Sequence, residues 1–333
     1  LSLKEPSLAY FVVKTIGWQR AAARRRDSWE KKGLHVPPFM IASITGKYNL
    51  NCAGCYAKAQ RKDPTEELST EDWSRVFNEA RDLGTSIVLL AGGEPLTRPD
   101  IIDVACKNPE IVFPVFTNGT LLNDSLMETL VQHRNVIPVV SLEGYEADTD
   151  ARRGDGIYSY LIQVLKKLKD HGLFFGASLT VTKKNFSTLT SDAFIQQLTS
   201  SGPRLIFFVE YVPVKEGTEG WVLTQDQCDS IPALMESFRQ RFPGVFVAFP
   251  GDEKALGGCV SSGRGFVHVA PDGSLEPCPF APYSDTNLKD VSLAEGLQSR
   301  FLRTIRQNYK ELSEGPGGCA LWHKRDWVRS LLQ

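Results

Sequence analysis

The chain has 333 residues, 42% hydrophobic and 23% charged, with a formal net charge of -1 at pH 7. That length allows one large α/β domain or a domain with a smaller companion, and the near-zero charge excludes a global pull toward nucleic acid or an anionic membrane. The longest apolar runs, such as residues 39–44, fall far short of the roughly 20 residues that span a bilayer, so no transmembrane segment is expected. Seven cysteines, odd in number and unevenly spaced, fit metal ligands in a reducing compartment better than a disulfide framework, which places the protein in the cytoplasm. The sequence opens at Leu1 without a signal-peptide layout and reads as a trimmed chain or part of a longer protein.

Residues 1–36 read as an N-terminal helical segment, with an apolar patch at 8–13 followed by Arg20, Arg24, Arg25, Arg26, Lys31 and Lys32. A solvated basic face is the plain reading, and docking to a membrane surface or an acidic partner is the sharper one. Pro37-Pro38 ends the helix and launches a strand at 39–45. From 37 to 241 strands and helices alternate: strands at 86–90, 112–116, 137–142, 174–181 and 205–212, helices at 69–84, 99–107, 123–133, 157–171, 189–200 and 224–241. Near-continuous apolar strands in six such units predict a parallel sheet covered by helices, a partial (β/α)6 TIM-like barrel of α/β class, with chemistry at the carboxyl ends of its strands. Residues 242–333 change character. Rich in Gly, Pro, Ser and Asp, they carry short strands at 266–270 and 274–277 around Pro271-Asp272-Gly273, then helices at 292–308 and 319–332, and read as a second, smaller domain.

The first strand runs into Thr45-Gly46-Lys47-Tyr48-Asn49-Leu50-Asn51-Cys52-Ala53-Gly54-Cys55-Tyr56. Two cysteines this close cooperate in holding a soft metal or cluster. About 40 residues later the second strand ends in Gly92-Gly93-Glu94-Pro95, where glycines allow close backbone approach and a strand-end carboxylate can pair with an ammonium. The two stretches together resemble the radical S-adenosylmethionine (SAM) superfamily. In that family C-x-x-x-C-x-x-C supplies three ligands to a catalytic 4Fe-4S cluster, SAM occupies the open iron, and its reductive cleavage starts radical chemistry.

The resemblance assigns Cys52 and Cys55 to the cluster and puts Tyr48 at the first ligand position. It implies SAM contacts from Tyr56, Gly92, Gly93, Glu94 and Pro95, from Asn118 after the third strand, from Ser141 after the fourth, and from Arg152 or Arg153. Asn118 also reads as a plain turn former, and the two arginines as a solvated pair beside Asp148, Asp150 and Asp155. The family further implies an electron donor such as flavodoxin or ferredoxin, and a peptide or small-molecule substrate.

Cys259, Gly273 and Cys278 follow C-x13-G-x4-C, and Cys319 follows in Gly317-Gly318-Cys319. A hairpin turning at Gly273 brings its flanking cysteines toward one metal, and a helix N-terminus at Cys319 favours a thiolate. The pattern resembles the Twitch and SPASM domains that hold auxiliary iron-sulfur clusters, in its single-cluster form. His268, His323, an outside ligand or a substrate atom could complete the set. A zinc site is the plainer alternative, and Cys106 and Cys228 read as packing residues.

Tyr48 is the departure. A phenol, with a pKa of about 10 against about 8.5 for a thiol, is the poorer anionic ligand at neutral pH, although tyrosinate does ligate iron. Three readings stand: an enzyme family member whose substitution weakens the catalytic cluster, an active enzyme whose cluster Tyr48 or another group completes, and a descendant that only binds SAM or iron-sulfur.

Overall fold

The computed structural model describes residues 6–60, 66–249, 256–312, 317 and 319–333; Gly318 and parts of the expected end segments, at 1–5, 250–255 and 313–316, lie outside them. Helix α1 (Pro6–Glu30) leads into strand β1 (Phe39–Ser43), a short helix α2 (Tyr56–Gln60) and helix α3 (Thr70–Leu83). The start and stop of α3 are written in its ends. Ser69 and Asp72 form a reciprocal capping box, and Gly84 closes the helix in the left-handed region at φ 105°.

Strand β2 (Ile87–Ala91), helix α4 (Pro99–Cys106), strand β3 (Phe113–Thr117), helix α5 (Asp124–Gln132) and strand β4 (Val136–Leu142) continue the alternation. Then come α6 (Glu146–Arg153), α7 (Ile157–Asp170), β5 (Gly176–Val181), α8 (Phe186–Leu189), α9 (Asp192–Ser200), β6 (Leu205–Glu210) and α10 (Gln225–Arg241). Strands β7 (Val245–Phe249), β8 (Phe266–Val269) and β9 (Leu275–Glu276) precede four short helices, α11 (Leu293–Gly296), α12 (Arg300–Gln307), α13 (Ala320–His323) and α14 (Arg325–Ser330).

The strands form one sheet in the order β7-β6-β5-β4-β3-β2-β1-β8-β9, parallel throughout except for the β8–β9 hairpin. Its two halves curl toward each other. Phe39 of β1 and Phe249 of β7 lie six strands apart in the sheet, yet their rings stack at 6.4 Å. The outer faces of β1 and β2, including Met40, Ala42, Val88 and Leu90, are buried in the core with Trp73, Val76, Phe77 and Ala80 of α3. The result is the expected α/β half-barrel.

Two differences from the sequence expectations have physical reasons. The expected boundary at 241 falls between α10 and β7, but β7 pairs with β6 and β8 with β1, so the residues beyond it extend the same sheet at both edges. The final helices are interrupted rather than continuous: Ser299 caps a fresh start at α12, and Lys324 breaks α13 from α14.

Candidate active site

The cysteine loop leaves the carboxyl end of β1 and is held from two sides. Gly46 N–H and Thr45 Oγ1 donate to Glu67 Oε1 at 2.7 and 2.9 Å, and Arg98 pairs with the other oxygen of Glu67 at 3.2 Å. On the opposite side Gly93 N–H donates to Thr45 O at 2.7 Å and Glu94 N–H to Lys47 O at 2.8 Å. A Cβ on Gly92 would stand 2.4 Å from Thr45 O. The close approach that these glycines allow is to the backbone of the cysteine loop itself.

Glu94 is buried, and its carboxylate accepts from Thr117 Oγ1 at 2.6 Å, Asn118 N–H at 2.8 Å and Leu96 N–H at 3.1 Å. Burial raises its pKa above the usual carboxylate value despite these donors. Pro95 opens the following 3-10 turn and is buried. Asn118 acts as a turn former, its Oδ1 accepting from Thr120 N–H at 3.0 Å, and its Nδ2 donates to Asn49 of the cysteine loop at 2.7 Å. Ser141 stands in register beside Ser178 of β5.

Cys52 and Cys55 are half-buried at the start of α2, and α6 closes over them. Ala53 N–H donates to Arg152 O at 2.8 Å, and Arg152 Nε returns a bond to Ala53 O at 3.1 Å. The arginines are not a solvated pair. Both converge on Glu143, which is buried at the end of β4: Arg152 Nη1 at 2.8 Å, Arg153 Nε at 3.0 Å and Arg153 Nη2 at 2.5 Å. Burial pushes the Cys52 thiol up from its ordinary value, against the pull of Arg153 and then Arg152. Gly54 has φ +67°, and its carbonyl accepts from Tyr211 Oη at 3.1 Å.

Cys52 and Cys55 sit close enough for their charges to interact, beside two guanidiniums, which fits the two-thiolate part of an iron-sulfur site. Tyr48 lines a cleft of about 1050 Å³, with Lys58 Nζ 5.7 Å from its ring centre. That cleft opens between the cysteine loop and the β8–β9 hairpin, with Thr45, Tyr56, Asp272 and Tyr283 on its walls. The Tyr56 ring packs tilted against Phe280 with centroids 4.5 Å apart, and Gln60 Nε2 donates to Pro279 O, so the first cysteine pair is tied to the residues that follow Cys278.

Cys259, Cys278 and Cys319 are all buried and line one cavity of about 270 Å³ inside the barrel, with Phe39, Phe249 and Phe280. Cys278 shares a hydrogen bond with Cys319 and receives Phe280 N–H; that bond, burial and the neighbouring thiols hold its pKa well above the ordinary thiol value. Trp322 N–H donates to the Cys319 sulfur at 3.4 Å, as expected of a cysteine capping a helix start. A trio of thiols with backbone donors on two of the sulfurs is a donor set that fits an iron-sulfur cluster. Among the described residues, however, no group of three or more His, Cys, Asp or Glu stands at metal-holding geometry.

Neither histidine considered as a fourth ligand lines the cavity that the three cysteines share. Both ring nitrogens of His268 are engaged, by Ser43 and Glu276, and His323 is exposed on a different cavity with Glu311 and Lys324. Cys106 is a packing residue, its thiol pushed up to about 11 by burial. Cys228 is more than packing: its thiol donates to Glu210 Oε1 at 3.2 Å and is pushed up to about 12, by burial first and Glu210 second.

Sequence reasoning missed Asn49, Glu67, Arg98, Glu143 and Tyr211 as supports of the loop. For Glu143 a signal existed, an acid directly after a buried apolar strand and before a glycine. Asn49 lies within the loop itself but carries no mark of its partner, and Glu67, Arg98 and Tyr211 lie outside the loop without a local pattern.

The Radical SAM superfamily profile matches residues 43–187. The AdoMet-dependent heme synthase of Methanosarcina barkeri is 26% identical over 313 residues, covering 86% of this chain and 89% of that protein. The mycofactocin maturase MftC of Mycobacterium tuberculosis is 27% identical over 306 residues, covering 87% and 76%. Among solved structures, Streptococcus suis SuiB bound to S-adenosylmethionine superposes with a TM-score of 0.70 at 19% identity, over 88% of this chain and 72% of that one. At that identity the superposition speaks for the fold.

Proposed function

The chain is an enzyme of the radical SAM superfamily, and from that premise we propose that it binds SAM at the carboxyl ends of β1 to β4 and cleaves it reductively to modify a peptide or small molecule. The observation that carries this reading is the lacing of residues 45–47 to Gly93 and Glu94, which holds the start of the cysteine loop against a buried strand-end carboxylate. Cys52 and Cys55, with Tyr48 or an outside group as third ligand, would hold a 4Fe-4S cluster, which would supply the electron for cleavage, with a flavodoxin- or ferredoxin-type protein as donor.

The chain's own residues then have distinct tasks. Glu94 Oε2 accepts a single donor, Asn118 N–H, and keeps a lone pair for the SAM ammonium. Tyr56, Gly92, Gly93 and Pro95 shape the wall beside it. Asn118 and Ser141 face the nucleoside, and the guanidinium N–H groups of Arg152 and Arg153 not spent on Glu143 or Ala53 take the SAM carboxylate. Residues 37–241, with β7 added at the edge of their sheet, form the catalytic barrel, and the remainder up to 333 an auxiliary unit, joined to that sheet through β8, in which Cys259, Cys278 and Cys319 would hold a second cluster. The cleft of about 1050 Å³ receives the substrate. The relatives point to both substrate classes, by their names an AdoMet-dependent heme synthase and, 25% identical over 268 residues, a PqqA peptide cyclase. The seven free cysteines support a reducing compartment, the cytoplasm, as its location.

The test is anaerobic reconstitution of this chain and of Tyr48→Cys, measuring iron, sulfide and 5′-deoxyadenosine under reduction. Two clusters' worth of iron and 5′-deoxyadenosine from the unaltered chain are expected, with more from Tyr48→Cys. Iron for the auxiliary site alone and no 5′-deoxyadenosine would leave a protein that binds without turnover.

A further inference from the structure

A buried hydrogen-bonded chain of side chains runs across β1, β8 and β9. Ser43 Oγ lies 2.8 Å from His268 Nε2, and His268 Nδ1 lies 2.8 Å from Glu276 Oε2. His268 is 0% exposed, Ser43 5% and Glu276 3%. The two contacts fit one tautomer of the ring, with Nδ1 donating to Glu276 Oε2 and Nε2 presenting its lone pair to the Ser43 hydroxyl. The two ends of the chain, Ser43 and Glu276, both line the large cleft, and the imidazole sits behind them.

Holding strands together does not require this arrangement. Four consecutive register pairs from Phe39↔Phe266 to Ala42↔Val269 already zip β1 to β8, and apolar side chains would fill the same space without the desolvation cost of three buried polar groups. A hydroxyl, an imidazole and a carboxylate in this order make an activated hydroxyl wherever the hydroxyl meets a ligand.

The geometry points to a proton relay at Ser43, His268 and Glu276, separate from both cysteine constellations, serving a cleft ligand that presents an N–H or O–H group to Ser43. Ser43 Oγ accepts the ligand's proton while its own proton passes to His268 Nε2. The imidazolium so formed is held by the Glu276 carboxylate, and the ligand is left as the conjugate base. No oxidant, reductant or metal enters the step.

The relay is tested on the full chain without knowing the ligand, using diisopropyl fluorophosphate as a probe of hydroxyl activation. In that reaction an Oγ–P bond forms, fluoride leaves and the hydroxyl proton goes to His268. Mass mapping is expected to find the label on Ser43 and to lose it in Ser43→Ala. Labelling in His268→Gln should be roughly 100-fold slower, the scale of a general base. Because a change at a fully buried histidine can prevent folding, nitrogen-15 NMR of the unaltered protein provides the second arm, with the His268 proton expected on Nδ1. A folded protein that leaves Ser43 unlabelled, or a ring protonated on Nε2 alone, overturns the relay and makes the chain a structural link.

Discussion

A Cβ on Gly93 would stand 1.8 Å from the carbonyl oxygen of Lys47, so the strand-end glycine and the cysteine loop occupy one packing site. Gly93→Ala must push the loop off its two backbone hydrogen bonds. The expected cost is at or beyond the ~3 kcal/mol upper end of ordinary overpacking, with loss of SAM binding. Gly17→Ala is the control, since nothing lies within 4 Å of its added methyl group in α1, and a gain of up to ~1 kcal/mol is expected there. Urea unfolding of both variants reads the difference; equal stabilities would show that the loop has room to move.

Glu143→Gln removes the charge on which Arg152 and Arg153 converge. Removing one partner of a buried ion pair costs about 3–5 kcal/mol, because the remaining charges stay desolvated without compensation. The urea midpoint should fall accordingly. Arg152 also holds Ala53 at both its backbone and its guanidinium, so proteolysis should open the cysteine loop before the barrel.

The alternation of β1 to β6 with helices was legible because each strand is apolar and each helix is announced by its ends, as Ser69, Asp72 and Gly84 announce α3. The two cysteine constellations were legible because metal chemistry demands particular residues at particular spacings. What the glycines of the second motif touch was not, since a close approach looks the same in sequence whether the neighbour is ligand or chain. Ser43 and His268 are 225 positions apart, and a polar residue inside an apolar strand carries no mark of its partner. β7 carried a readable signal, a short apolar run after Gly244, but a chain break in composition nearby argued for a new domain instead.

Thiol reactivity should follow burial. The thiolate is the nucleophile, so at pH 8 only ~0.1% of Cys106 and ~0.01% of Cys228 is reactive, given pKa values of about 11 and about 12. A raised thiol pKa means that reactivity climbs with pH through the whole accessible range. Iodoacetamide labelling of both should rise about tenfold per pH unit from 7 to 9.5 without a plateau. Cys52 is raised by burial against the lowering pull of Arg153, so Arg153→Ala should slow its alkylation at fixed pH. A plateau below pH 9 at Cys228 would mean that burial and Glu210 together do not hold its thiol up.

The buried trio offers the sharpest separation of structural from metal-binding cysteines. Cys278 lies at the centre of it, hydrogen-bonded to Cys319, within electrostatic reach of Cys259 and held by Phe280 N–H. Cys278→Ala should therefore remove the iron and sulfide belonging to the inner site while leaving those of the Cys52–Cys55 loop, because the contacts between the two, Tyr56 against Phe280 and Gln60 on Pro279 O, involve none of the cysteines. Cys106→Ala, equally buried but in α4 and surrounded by apolar core, should leave metal content unchanged. Both variants are compared by iron and sulfide analysis after anaerobic reconstitution and gel filtration. Loss of all iron from Cys278→Ala would show that the hairpin positions the first loop as well, and equal iron in Cys278→Ala and the unaltered chain would remove the inner site from the proposal.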